Sequence, residues 1–299
     1  MKPTHIAAAA VAALLAAPAF AQELSGTLRK IQDSGSITIG HRETSIPFSY
    51  LDDKQQPIGY SMDICAAVVE EVKKELGLAT LAVKLNPVTP QTRIPLVANG
   101  TIDLECGSTT NTLTRQKQVA FAPVTFITGT KLLVKKSARV KSYRDLKGKT
   151  VVVTQGTTNE RTIKALSDKE NLNIKFLNAK DHAESFLTVE SGRAVAFSMD
   201  DILLYGLVAK AKNPRDFDVV GDYLSYDPYG IMFRTNDDAF GVVVRRAIAR
   251  LFGEPGTCNG PLKAIYKKWF VDKPPSGEAL NFPMSPLLEA VCRTNSLPD

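Results

Sequence analysis

Twice along this chain, short β-branched segments alternate with stretches of helical apolar spacing, and that repetition limits the fold more than any other feature. Residues 36–40 (Ser-Ile-Thr-Ile-Gly) predict a strand behind a helix that Gly35 ends. Over 60–76, Ile64 or Cys65, Val68, Val69, Val72 and Leu76 share one face, and Gly77 stops the pattern as the end of an amphipathic helix should. A strand at 83–88, a short helix at 93–99 closed by Gly100 and a strand at 102–105 complete the first series. After Lys147-Gly-Lys149 the pattern restarts, with strands at 151–154, 174–177, 195–198 and 219–220 and helices at 159–169 and 200–211. Between them Asp181-His-Ala-Glu184 opens a further helix like a capping box, and Gly192 ends it. Two βαβ series in succession predict two α/β domains, and 299 residues suffice for two cores.

Composition narrows the class of function. With 44% hydrophobic and 23% charged residues, disordered and fibrous readings fall away. The formal charge of +6 suggests a polyanion partner, yet no run of five basic residues exists. The densest basic stretches, 131–136 and 263–268, alternate with apolar residues and are read as solvated faces, so no nucleic-acid partner is expected.

Residues 1–21 combine a basic start, an apolar run from Ile6 to Leu15 and Ala19-Phe-Ala21. That is the pattern of a secretory signal peptide cleaved after Ala21; the run is too short and Ala-rich for a membrane span. No Cys follows the cleavage site, so a lipid anchor is not indicated, and the expected product is an exported soluble protein. Export makes Cys258 and Cys292 a candidate disulfide closing a terminal segment. Cys65 and Cys106 could pair or stay as buried thiols, and the sequence leaves the pairing open. There is no Cys-x-x-Cys and no His-x-x-x-His, and only His41 and His182 remain beyond the signal, so neither metal nor cofactor is expected.

Loops after strands are where α/β proteins bind ligands, because helix N-termini and free backbone N–H groups gather there. Four such loops are polar: 40–45 with Arg42, 89–93 with Arg93, 107–115 with Ser108, Thr110 and Arg115, and 154–158 with Thr158. Asp181-His182 and Met199-Asp200 stand at the next two strand ends. Together they supply Arg, hydroxyl, backbone N–H and one Asp, which suits a small anion better than a reaction.

Three segments carry a resemblance: Gly40-His-Arg-Glu-Thr-Ser-Ile-Pro-Phe-Ser-Tyr50, Glu105-Cys-Gly-Ser-Thr-Thr-Asn111 with Arg115-Gln-Lys117, and Ala179-Lys-Asp-His182 with Glu190-Ser-Gly-Arg-Ala-Val-Ala-Phe197. They resemble the periplasmic glutamate/aspartate-binding proteins of the extracellular amino-acid-binding family that serves ABC importers. The likeness extends through Tyr229-Gly-Ile-Met-Phe-Arg234 and Lys267-Lys-Trp-Phe270. It implies the type II periplasmic-binding-protein fold, a venus flytrap whose two α/β lobes are joined by two crossover strands. By that pattern 22–127 plus 229–299 form the first lobe and 128–228 the second; a monomer is expected, since the cleft needs no second subunit.

The resemblance also implies roles. Arg115 would clamp the α-carboxylate, which a guanidinium can meet bidentately, with the Thr110 and Thr158 regions completing that end. Asp200 would take the ammonium with help from Ser108. Arg42 and Arg93 would meet the side-chain carboxylate from the first lobe and His182 from the second, where a bound carboxylate would favour the imidazolium. Pro90 departs from the family's Ser-x-x-Arg arrangement, so one carboxylate contact is lost or passes to Thr89 or Thr92. The expected partners are therefore L-glutamate or L-aspartate and a membrane ABC permease of polar amino-acid type. Two other readings compete. One is an exported dehydratase-like enzyme on the same scaffold, using His182, Glu43 or Asp200 as acid or base. The other is a sensory input domain that docks to another protein.

Overall fold

The computed structural model describes residues 24–295; the export signal expected at 1–21 lies outside the described residues. After α1 (Gly26–Ser34), strand β1 (Ser36–His41) pairs in parallel with β5 (Ala82–Pro87). Between them lie a small antiparallel sheet, β2 (Thr44–Ser45), β3 (Ser49–Leu51) and β4 (Pro57–Ile58), and then the crossover helix α2 (Tyr60–Glu75) that a parallel neighbour requires. α2 buries Tyr60, Ile64, Cys65, Val68, Val69 and Val72, the face its spacing selects. Helix α3 (Arg93–Ala98) leads to β6 (Leu104–Glu105), also parallel to β1, and α4 (Leu113–Gln116) to β7 (Val119–Phe121).

β8 (Phe126–Thr128) then leaves this sheet. The second sheet is built from β9 (Thr130–Lys135), β10 (Thr150–Thr154), β11 (Lys175–Ala179), β12 (Ala196–Asp200) and β13 (Phe217–Val220), with helices α5 (Thr158–Lys169), α6 (His182–Glu190) and α7 (Asp201–Ala209) between its strands. β14 (Asp227–Tyr229) returns antiparallel to β8, and β15 (Met232–Arg234) re-enters the first sheet. The strand orders are β5-β1-β6-β15-β7 and β11-β10-β12-β9-β13. Helices α8 (Asp238–Phe252), α9 (Leu262–Tyr266) and α10 (Pro286–Asn295) pack at the C-terminal side of the chain. This is the two-lobed α/β arrangement with paired crossover strands that the resemblance implies. No helix among the described residues is long and apolar enough to cross a membrane.

Segment 131–136, read from the sequence as a solvated basic face, is mostly β9, which lies inside the second sheet with Leu132, Leu133 and Val134 buried. It is antiparallel to both neighbours, and the apolar trio outweighs the lysines at its ends. Segment 263–268 likewise folds over a buried face, Tyr266 with Trp269 and Phe270 just beyond it. The helix opened by Asp181 lacks the reciprocal capping box. The Asp181 carboxylate accepts from the Glu184 backbone N–H at 2.9 Å, but Glu184 turns to the N–H of Lys180 instead.

Aromatic rings gather where the chain crosses between lobes. Phe126 of β8 stands 4.8 Å from both Phe48 and Phe270, and Phe48 stands 5.1 Å from Tyr229 of β14. At about 0.5–1.5 kcal/mol per pair, these contacts clamp both crossover strands to the first lobe. Two disulfides, Cys65–Cys106 and Cys258–Cys292, resolve the pairing that the sequence left open. The first ties α2 to the end of β6, directly beneath the polar loop that follows.

Candidate functional site

The polar loops at the C-terminal ends of β1, β6, β10, β11 and β12 meet between the lobes, as helix N-termini and strand ends do in α/β folds. They enclose a cavity lined by Arg93, Ser108, Thr110, Thr157, Thr158, Asn159, His182, Met199, Asp200 and Leu203. Six of the eight residues singled out from the sequence are in that lining. Arg42 and Arg115 flank it: the Arg42 Nη2 stands 3.5 Å from the His182 Nε2, and Arg115 donates to the Thr110 carbonyl at 2.8 Å. Glu43 is exposed and outside the lining.

The lobes are shut over the cavity. Arg115 Nη2 donates to the carbonyl of Gly156 at 3.1 Å, and the backbone N–H of His182 donates to the Thr44 hydroxyl at 3.3 Å. A Cβ on Gly156 would stand 3.0 Å from backbone atoms of both Pro90 and Gln91, so the two rims touch there. Thr89 and Thr92 hydrogen-bond to one another through hydroxyl and backbone N–H, and neither lines the cavity.

Positive charge dominates one side. Arg42, Arg93 and Arg115 are all at least 97% buried. Burial, with the neighbouring Arg93, pushes the Arg42 guanidinium down to about 9; burial, with Arg93 and Arg161, does the same to Arg115. Burial also lowers Arg93, against the pull of Glu105, whose carboxylate is 3.9 Å away. Arg42 Nη1, Arg93 Nε, Arg115 Nε, the Ser108 hydroxyl and Glu105 Oε1 are buried without a hydrogen-bond partner in the chain. Each such group costs about 1–3 kcal/mol, so three guanidiniums with donors held in this way at or beside one cavity are suited to an anion.

Asp200 supplies the opposite charge. It precedes α7 but makes no side-chain cap; one carboxylate oxygen accepts from Asn159 Nδ2 at 2.7 Å and the other from the Tyr229 hydroxyl. Burial and then Asp227 raise its pKa well above the usual carboxylate range, so a cation placed beside it would be favoured. Burial, and then Arg42 and Arg93, push His182 well below its usual range.

Two expected donors are engaged elsewhere. The hydroxyls of Thr110, from the first lobe, and Thr158, from the second, both donate to Asp227 Oδ1, at 3.0 and 2.8 Å. Each hydroxyl has one proton, so neither hydroxyl has a further hydrogen to give a ligand. Asp227, Tyr229 and Asn159 escaped sequence reasoning. Asp227 and Tyr229 sit on a crossover strand that pairs with β8 and, at Tyr229, with Thr110, both far away in sequence. Asn159 reads as an ordinary first-turn residue; its one distinguishing sign was its place directly after Thr158 in a polar strand-end loop.

The sequence 37–272 matches the bacterial extracellular solute-binding proteins, family 3. The chain is 54% identical over 285 residues to an L-glutamate/L-aspartate-binding protein of Pseudomonas aeruginosa, covering 95% of this chain and 93% of that one. It is 46% identical over 290 residues to a glutamate/aspartate import solute-binding protein of Escherichia coli, covering 96% and 94%. Among solved structures, an ancestral arginine-binding protein bound to glutamine superposes with a TM-score of 0.69 at 29% identity, covering 79% of this chain and 98% of that one. A clamshell of this topology, closed over buried arginines and one aspartate and matched over most of its length, belongs to the bacterial extracellular solute-binding proteins of family 3.

Proposed function

We propose that this protein captures acidic amino acids, L-glutamate and L-aspartate, in the periplasm by lobe closure and delivers them to an ABC importer. The observation that carries the reading is the charge arrangement of one cavity: three buried guanidiniums with unpartnered N–H groups, and a single lining carboxylate. A dicarboxylic amino acid is the complement of that set, with two anions and one cation. Arg115 and the backbone N–H groups near Thr110 and Thr158 take the α-carboxylate, and Asp200 with Ser108 takes the ammonium. Arg42, Arg93 and His182 take the side-chain carboxylate. The names of the Pseudomonas and Escherichia relatives support the ligand class. The lobes are taken as 22–127 plus 229–299 and 128–228, the protein acts as a monomer, and 1–21 is removed on export.

Magnitudes explain why closure matters. An exposed ion pair contributes at most about 1 kcal/mol, whereas micromolar binding needs about 8 kcal/mol. Charge-assisted bonds in a shut cleft, at roughly 1.5–3 kcal/mol each, reach that total, and contacts from both lobes bias the hinge toward the closed form. Calorimetric titration should therefore give tight binding of L-glutamate and L-aspartate and weak or no binding of glutamine and arginine. Tight binding of arginine alone would overturn the reading. Steady consumption of bound glutamate, followed by NMR, would favour the dehydratase-like alternative, but no residue arrangement in the cavity calls for it.

Asp227 has a separate part in this scheme. By collecting a hydroxyl from each lobe on the crossover strand, it stabilises closure without lining the cavity. Replacing it with Ala should lower glutamate affinity about tenfold, the loss of one or two buried charge-assisted bonds. Thr110→Val in that background should add little, and a fully additive loss in the double variant would break the assignment.

A further inference from the structure

The proton count around His182 carries a consequence for binding. Its Nδ1 lies 3.0 Å from the Thr154 hydroxyl, which lies 2.8 Å from the Ser185 hydroxyl. Ser185 donates at 3.0 Å to the carbonyl of Asp181, an acceptor only. Each hydroxyl owns one proton. With the Ser185 proton directed at that carbonyl, the Thr154 proton has Ser185 and, at 3.5 Å, the same carbonyl as acceptors, and the Thr154 oxygen then accepts from the Nδ1–H of His182. The other end of the ring agrees: Nε2 faces the Arg42 guanidinium at 3.5 Å, and a guanidinium can only donate. Both ends favour the neutral ring with hydrogen on Nδ1 and a bare Nε2. The ring itself lines the cavity, 1% exposed, and the charged groups bearing on it are Arg42 and Arg93, the latter offset by Glu105.

A bare Nε2 cannot donate to a carboxylate; it would repel one. We propose that an acidic ligand enters this site together with a proton, which His182 takes up from solvent on Nε2 as the ligand's side-chain carboxylate settles beside Arg42 and Arg93. Thr154 and Ser185 are positioning residues for this event: they hold the ring so that the accepting nitrogen faces the ligand. The new N–H then donates to the carboxylate, and no other bond changes. A ligand with an amide in place of the carboxylate needs no proton, because its NH2 can donate to the bare nitrogen. This inference rests on the proposal that His182 meets the side-chain end of a dicarboxylic ligand.

Only three histidines occur in the full sequence, so 15N-imidazole labelling resolves the ring directly, with His41→Gln to assign it. The expected spectrum is the Nδ1–H tautomer without ligand and the doubly protonated ring with saturating glutamate. Calorimetry of the full protein in buffers of different ionisation heat should give up to one more proton taken up for glutamate than in His182→Asn. Wild-type affinity should fall, relative to that variant, by up to about tenfold per pH unit on the alkaline side. The comparison with the variant separates the ring from any proton that Asp200 releases. Thr154→Val should let the free ring populate the Nε2–H tautomer and reduce the proton uptake. An Nε2–H ring in the free protein, or a neutral ring with glutamate bound, overturns the proposal. Absence of any glutamate binding instead overturns the ligand reading, while the free-protein spectrum still reports the tautomer.

Discussion

Asp200→Asn should weaken glutamate and aspartate binding by two to three orders of magnitude while leaving the empty protein at least as stable as the wild type at neutral pH. The substitution is isosteric. Asn retains an oxygen for the Asn159 amide, and the Tyr229 hydroxyl can turn from donating to accepting. What disappears is the negative charge opposite the ligand's ammonium, and leaving one buried partner of an ion pair unmatched costs about 3–5 kcal/mol. The stability prediction follows from linkage. The folded pKa of Asp200 is raised above its ordinary value of 3.8, by burial first and Asp227 second. A raised acid contributes its stability below the unfolded pKa and loses it as pH climbs toward the folded pKa. Wild-type stability without ligand should thus decline from about pH 4 upward in a way that the variant does not. Urea unfolding at pH 3.5 and 7, paired with calorimetry, checks both halves. A variant that loses affinity and neutral-pH stability together would mean structural damage, and one that keeps its affinity would remove Asp200 from the ammonium site.

Much of this site could be read before any coordinates, for a physical reason. Parallel strands deliver their C-terminal ends to one edge, so polar loops that follow successive strands converge whatever the details of packing. Arg93, Ser108, Thr110, Thr158, His182 and Asp200 were legible in that way, and all six line one cavity. Side-chain direction was not legible. Thr110 and Thr158 had the right composition for ligand donors, yet Asp227 claims both hydroxyls. An imidazolium at His182 was to be expected with a carboxylate bound, but the sequence does not reveal that burial, Arg42 and Arg93 disfavour it beforehand. Within the fold, β9 was hidden because a strand buried on both faces has no alternation to detect, and its flanking lysines dominated the reading. The crossover pairing of β8 with β14 joins segments about a hundred residues apart, and no local pattern encodes it.

Gly206→Val should open the trap, although the residue does not line the cavity. Gly206 lies in α7 of the second lobe, against the segment between β2 and β3 of the first. A Cβ there would sit 2.4 Å from the carbonyl oxygen of Ile46 and 2.9 Å from its carbon. Both are backbone atoms, so no rotamer change relieves the clash; the lobes must part. Overpacking of this kind costs about 1–3 kcal/mol, and here the closed state alone bears it. A penalty confined to the ligand-competent state reduces apparent affinity by the same free energy, roughly 5- to 150-fold. Gly206→Ala gives the milder form of the test. Within an isolated helix Ala is favoured over Gly by about 0.5–1 kcal/mol, so this variant should keep or raise the melting temperature of the ligand-free protein while its affinity falls. Small-angle scattering should record a larger radius of gyration for both variants at ligand concentrations that close the wild type. Unchanged affinity in Gly206→Val would mean that α7 does not approach Ile46 in the binding state, and that closure uses a different contact between the lobes.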